Sequence, residues 1–338
     1  QCGVEPGSIL VITFTKAAAQ EMRQRFEKLM EGRRLPVSFG TFHAVFFSIL
    51  KRAYRYDASN IAREEQRTRI IRELVDKLRM DVEDEAEFTS QILTEISLVK
   101  GEMMDLDYYY SKNCSEELFK KLYQGYEKAM MDKGLLDFDD MLVLCYELFT
   151  QRKDILTAWQ NKYRYILIDE FQDTSRMQWD NFRLLLLEGL SQGADSLIVG
   201  DVKQSIYRWR NGDWGILNGL KTNIEAFPVK VKTLTTNRRS AANIIHFNNE
   251  VFTAACEVLN NIYKEEQKKE CKELKEAYND VCQETYKDPG KGYVKVEFLS
   301  DTEDMTYMEN TLHHLGEEVE LLVAQGVQLK DIAILVRK

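Results

Sequence analysis

The chain has 338 residues, room for about two domains at roughly 150 residues each, and its 44% hydrophobic and 30% charged content is that of a globular protein with sizeable cores. No apolar run approaches the 18 residues of a membrane helix, no basic-then-apolar leader opens the chain, and the six cysteines are scattered without a CxxC. No signal peptide is visible, neither a membrane partner nor a structural zinc site is expected, and reduced thiols in a cytoplasmic protein are the reading. The net charge of −9 hides an asymmetry: residues 201–240 carry eight Lys/Arg and three Asp/Glu, a local +5 that leaves −14 elsewhere. Such a basic stretch in an acidic chain is where a phosphate-rich partner is sought.

In chain order, residues 9–14 form a short apolar run read as a buried parallel strand, followed by a helix over 16–30. Residues 37–39 are a second strand, and Thr41 caps a helix that runs to residue 52. Residues 55–135 are helical throughout, polar and rich in Arg, Glu and Asp, as an insertion would be. Strand 165–168 ends on Asp169 and Glu170, helix 177–190 follows, and strand 196–199 runs into Gly200 and Asp201. Further strands are expected at 229–234, 293–299 and 332–336, with helices within 241–288 and over 303–325. The alternation predicts an α/β protein with parallel sheets, one before about residue 235 and one beginning after it. The chain opens on Gln and stops as its last strand closes, which reads as a piece of a longer protein.

Two segments carry chemistry. Ile166-Leu-Ile-Asp-Glu-Phe-Gln-Asp173 puts two carboxylates at the carboxyl edge of a parallel sheet, where open α/β folds bind ligands. There the first acid can hold Mg²⁺ and the second can take a proton from an attacking water, although acidic pairs also end strands with no such role. Val199-Gly-Asp-Val-Lys-Gln-Ser-Ile-Tyr-Arg-Trp-Arg210 again follows an apolar strand, and Gln204 falls beside the carboxylates if the two strands are neighbours. Its end interleaves Tyr207 and Trp209 with arginines. That pattern suits stacked bases and a phosphate track, and equally an aromatic cluster packed between domains. His313-His314 reads as a solvated pair without a carboxylate at ligand spacing, the 264–276 Lys/Glu run as an exposed helix with i,i+4 pairs, and 81–87 as a solvated loop.

Together these segments resemble motifs II and III of superfamily 1A DNA helicases of the UvrD/PcrA/Rep type. Thr13-Phe-Thr-Lys-Ala-Ala-Ala19 is similar to their motif Ia, Gly40-Thr-Phe-His43 to Ic, Asp137-Phe-Asp-Asp140 to Id and Asn237-Arg-Arg-Ser240 to IV; Asp331-Ile-Ala-Ile-Leu-Val-Arg337 resembles part of the second motor domain. The resemblance implies a RecA-like P-loop NTPase sheet over 1–54 and 136–234, a helical insertion over 55–135 and the start of a second RecA-like domain over 235–338. It implies ATP and Mg²⁺ as cofactors, with Asp169 and Glu170 at the metal, Glu170 as the base, and Gln204 and Arg239 on the γ-phosphate. Arg238 takes the place of an adenine-stacking ring. Phe14, Thr15, Thr41, His43, Phe138, Tyr207, Trp209 and Arg210 would line the track for single-stranded DNA and duplex junctions. The activity implied is 3′→5′ translocation in DNA repair or recombination.

The sequence also departs from the pattern. No Gly-Lys-Thr/Ser phosphate loop occurs before Ser8, so residues 1–338 alone are expected to turn over little ATP. Lys16-Ala17 replaces the usual Asn-Lys; with Gly-Asp-Val-Lys-Gln-Ser this leans toward AddA and RecB, whereas Gly-Thr-Phe-His and Tyr-Arg-Trp-Arg lean toward UvrD. The helicase–nuclease branch adds a second subunit as a partner, and leaves open a different reading: a single-stranded DNA-binding module that does not hydrolyse ATP.

Overall fold

In the computed structural model, which describes residues 3–208, 211–287, 289–301 and 305–336, the first apolar run forms strand β1 (Ile9–Thr13). Helix α1 (Lys16–Leu29) begins where the Thr15 hydroxyl accepts the Ala18 amide, satisfying one of the unpaired N–H groups of its first turn. Strand β2 (Ser38–Thr41) runs parallel to β1 with Thr41 opposite Thr13, and Thr41 caps α2 (Phe42–Tyr54) by accepting from Ala44. A left-handed Arg55 ends that helix.

Helices α3 (Glu64–Leu78), α4 (Glu85–Gly101) and α5 (Glu116–Asp132) follow and close on a core of their own, built from Ile70, Ile71, Ile92, Ile96, Phe119 and Leu122. Asp84 and Ser115 cap α4 and α5, so the acidic 81–87 stretch is loop only until Glu85, where it becomes helix. Helices α6 (Phe138–Gln151) and α7 (Lys153–Lys162) return the chain to the sheet. Strand β3 (Tyr165–Ile168) inserts parallel beside β1, with Ile168 opposite Ile12. Helix α8 (Arg176–Ser191) starts with a Ser175–Gln178 capping box and leads to β4 (Leu197–Ile198), which pairs with β3; the short helices α9 (Trp214–Asn218) and α10 (Leu220–Asn223) follow.

The four strands lie all parallel in the order β2-β1-β3-β4, a mixed α/β fold as the alternation predicted. Period-2 alternation sends Leu10, Ile12, Ile166 and Ile168 into one core with Phe42 and Phe46 of α2 and Phe182 and Leu185 of α8. Phe182 meets Phe42 and Phe46 edge-on at 5.4 and 5.7 Å. Each such side chain contributes about 1.5–3 kcal/mol by leaving water.

The chain divides into two compact units, Gln1–Lys232 and Thr233–Lys338. In the second, β5 (Thr236–Asn237) precedes α11 (Ala242–Gln267) and α12 (Lys272–Ala277), and pairs in parallel with β6 (Glu284–Thr285); α13 (Tyr307–Ala324) follows. The strands expected at 229–234, 293–299 and 332–336 are not formed: these segments are irregular, with Phe298 and Leu335 95% and 94% exposed. Apolar, β-branched sequence makes a strand only where a neighbouring ladder takes its backbone groups, and none is present for them among the described residues. The 264–276 helix is also broken, at a left-handed Lys268; Glu270 pairs across the break with Lys264 and Lys275, not at i,i+4.

Candidate functional site

The carboxyl ends of β1, β2, β3 and β4 gather most of the predicted site residues of the first unit along one edge of the sheet. Asp169 leaves β3 with its amide still bonded to the Ile12 carbonyl at 2.9 Å. Burial, with the neighbouring Glu170 charge adding to it, holds its carboxyl above the usual range, and no ion pair among the described residues relieves it. Glu170 then turns sharply: its φ of 56° is left-handed, a conformation costing a non-glycine residue on the order of 1 kcal/mol. The fold holds it there because the next residue, Phe171, is fully buried and donates to the Val199 carbonyl at 3.1 Å.

That turn points the Glu170 carboxylate across the sheet toward β1. The Thr13 hydroxyl donates to Oε2 at 2.9 Å and the Phe14 amide donates to the same oxygen at 3.2 Å. The Phe14 ring in turn stacks on Tyr207, centroids 5.1 Å apart and planes inclined by 22°. The acidic pair and the aromatic pair are therefore one connected assembly, joined through the backbone of a single residue.

Residues 200–208 and 211–213 are laced to the segment that follows β3. Asp201 donates its amide to Gln172 Oε1 at 3.2 Å, Ser205 Oγ donates to the Gln172 carbonyl at 3.0 Å, and the Asp213 amide donates to the Thr174 carbonyl at 3.0 Å. Gln204 is exposed and its side-chain amide donates to Asp201 Oδ2 at 3.0 Å. Burial pushes the Asp201 carboxyl up, but hydrogen bonds from Lys203 and Gln204 outweigh it and hold it below its ordinary value. Trp209 and Arg210 lie outside the described residues.

The hydroxyls of Thr15, which is exposed, and Thr41, which is half-buried, are engaged in helix caps. His43 sits half-buried with its ring edge-on to Phe138 at 5.0 Å; burial lowers its pKa to about 4, which leaves it neutral at physiological pH. Phe138 is 53% exposed, which places it outside the core.

Sequence reasoning missed what stands behind Phe138. Asp137 caps α6 through a capping box with Asp140, and both carboxylates converge on the buried Lys100 of α4, at 2.9 and 2.6 Å from Nζ; Glu127 of α5 completes the set at 2.6 Å. Tyr126 of α5 donates to Asp137 at 3.0 Å and accepts from Arg67 of α3 at 3.0 Å. Burial, and then Asp137, raise Asp140 to about 7 and Asp139 to about 6, while Lys100 and its companions hold Asp137 low against burial. Asn211, just past the aromatic segment, donates to the Ser97 carbonyl of α4 at 3.2 Å. The helical region is thus bolted to the segment that carries Phe138 and to Asn211. The Asp137-Phe-Asp-Asp140 motif supplies two of the acids of this network, but nothing in the sequence points to Lys100 as their partner.

In the second unit, Asn237 shapes the turn after β5, its Oδ1 accepting the Arg239 and Ser240 amides at 2.9 and 3.0 Å. Arg238 lies over its own Tyr286, 4.1 Å from the ring centroid, and Arg239 is exposed. His313 and His314 both face Glu317, at 3.4 and 3.7 Å, so a carboxylate partner does exist, at i,i+4 and i,i+3 on the same helix. No group of three or more His, Cys, Asp or Glu is placed to hold a metal among the described residues, the described cysteines are free thiols, and no helix among them is long and apolar enough to cross a membrane.

A profile of the UvrD/REP helicase N-terminal domain matches residues 1–225. The chain is 30% identical to a probable DNA helicase II homolog of Mycoplasma capricolum over 99% of its own length and 43% of the relative. It is 32% identical to DNA helicase II of Escherichia coli over 71% of the chain and 33% of the relative, and 32% identical to the ATP-dependent DNA helicase PcrA of Bacillus subtilis over 73% and 33%. The chain therefore spans less than half the length of these relatives.

Proposed function

The chain belongs to the UvrD/REP helicase N-terminal domain family, and from that premise we propose that it supplies part of an ATP-driven motor that moves along single-stranded DNA. In this reading residues 1–54 and 136–234 are the first motor domain, 55–135 its helical insertion and 235–338 the start of the second motor domain. Asp169 would hold Mg²⁺ with Glu170 close by. The donor set suits that ion, because Mg²⁺ is held by one or two carboxylates and the nucleotide's own phosphates rather than by an all-protein cage. When bound, the metal supplies neutralisation of phosphate charge. Glu170 orients and deprotonates the attacking water, and Gln204 and Arg239 contact the terminal phosphate, Gln204 by leaving Asp201.

Phe14, Tyr207, Trp209 and Phe138 offer bases a stacking surface, with Arg210 on the phosphates and Thr15, Thr41 and His43 beside the track. His43, being neutral, contributes shape and hydrogen bonding rather than charge. The observation that carries the reading is the bonded path from the Phe14–Tyr207 stack through the Phe14 amide to the Glu170 carboxylate. It gives a DNA-facing surface direct contact with the acid that hydrolysis needs. Tyr207→Ala should weaken binding of a labelled oligo-dT by about 1–3 kcal/mol with little sequence preference. Unchanged affinity would remove Tyr207 from the track. The 3′→5′ direction and a repair role belong to the same proposal; displacement of a strand from duplexes with 3′ but not 5′ tails tests the direction.

A further inference from the structure

We propose that Thr13 is a positioning residue that restrains Glu170 until single-stranded DNA engages Phe14, an inference that rests on the reading of Glu170 as the hydrolytic base. Three observations converge on it. Glu170 Oε2 accepts two hydrogen bonds, both from the end of β1 and none from the strand that carries Glu170 itself. Thr13 is buried, 1% exposed, so its hydroxyl has no water to turn to and its geometry is fixed by the β1–β2 ladder. The second donor is the amide of Phe14, whose ring is already in contact with Tyr207.

At 5.1 Å between centroids the two rings leave no room for a third ring between them. A base entering the pair must move Phe14 or Tyr207, and a base lying on the outer face of Phe14 pulls on the same residue. Motion of Phe14 shifts its amide, and the weaker of the two hydrogen bonds, at 3.2 Å, is the one that gives way. Thr13 then sets how far Glu170 can follow. Its hydroxyl is a latch on the acid: it lowers turnover without DNA, and the arrival of DNA loosens its neighbour. The left-handed backbone at Glu170 suits this arrangement, since a residue held at a strained φ by its surroundings shifts when one of the restraints is removed.

Coupling of this kind is reciprocal: if DNA loosens the Glu170 contacts, loosening those contacts favours DNA. The experiment uses the complete protein with Thr13→Val, which keeps the shape and removes the hydroxyl, and Thr13→Ala as a second variant with the same loss. The expected result is DNA-free kcat raised several-fold, DNA-saturated kcat within about two-fold of wild type, and nucleotide-free affinity for oligo-dT raised about five-fold, the low end of typical coupling. Thr13→Ser, which keeps the donor, should restore all three. Equal loss of kcat with and without DNA, or an unchanged stimulation ratio and affinity, would overturn the latch. Glu170→Gln run in parallel separates the two levels: if it retains turnover, the assignment of the base has failed; if it abolishes turnover while the Thr13 variants behave as wild type, only the latch has failed.

Discussion

Replacing Lys100 with Met should destabilise the first unit severely, and more so at pH 8 than at pH 5. The Lys100 side chain is 3% exposed and its ammonium lies 2.6–2.9 Å from Glu127, Asp137 and Asp140. Methionine keeps the length of the stem but strips the cation from Asp137, whose side chain is 1% exposed and cannot turn to water. Breaking a buried pair by removing one partner costs about 3–5 kcal/mol, and in a unit of this size each kcal/mol moves the melting temperature by about 2–4 °C. A fall on the order of 10 °C at pH 8 is therefore expected, read by circular dichroism.

The pH dependence has a definite sign. Asp139 and Asp140 have folded pKa values raised to about 6 and about 7, above the ordinary 3.8. Between those limits the folded state binds the extra protons, so their contribution to stability falls as pH rises from about 4 to 7. Without Lys100 both acids need their protons more, so Lys100→Met should recover part of its loss at pH 5. The double variant Lys100→Met with Asp137→Asn should be less damaged than the sum of the single ones, since it removes the stranded charge. A melting temperature within 1 °C of wild type at pH 8, or a loss equal at both pH values, would refute the reasoning.

Three further outcomes follow from the same geometry. His43, held near 4 by burial, should show no titration of its ring protons between pH 5.5 and 8 by NMR; a midpoint near 6.5 would mean that the ring is solvated. Gly189→Ala should cost about 1–3 kcal/mol in urea unfolding, because a Cβ there would stand 2.5 Å from the Arg164 backbone carbonyl, which cannot swing aside as a side chain could; unchanged stability would show that α8 slides freely on β3. In the complete protein Arg239→Ala should lower kcat by a factor on the order of 10³, whereas Arg238→Ala should change mainly KM for ATP; the reverse pattern would shift the register of the phosphate contact by one residue.

The parts of this fold that were legible in sequence are those where one strand or helix decides its own fate. Residues 165–168 are an unbroken apolar run closed by two acids, and Thr41 announces the helix it caps. Residues 293–299 have the same β-branched and aromatic character, yet Tyr293 and Phe298 stand exposed, because pairing depends on a neighbour that local pattern does not encode. The site divides in the same way. The sheet order decided that Asp169 and Glu170 meet β1, a pairing that the motifs did not foretell. The Thr13–Glu170 bond spans 157 positions and the Lys100–Asp137 pair 37, with no periodicity linking their members. Lys100 looks in sequence like any solvated helix-end lysine, and only the packing of α4, α5 and α6 makes it a buried hub.

Whether Glu170 is the hydrolytic base is decided by the turnover of Glu170→Gln in the complete protein at saturating ATP, Mg²⁺ and oligo-dT. Glutamine keeps the shape and can still accept from Thr13 and the Phe14 amide, but it cannot take a proton from water. Loss of hydrolysis by a factor on the order of 10² or more, the low end for a general base, with ATP and DNA binding retained, is the predicted result. Near-normal kcat would contradict the account, since Glu170 would then not be the base.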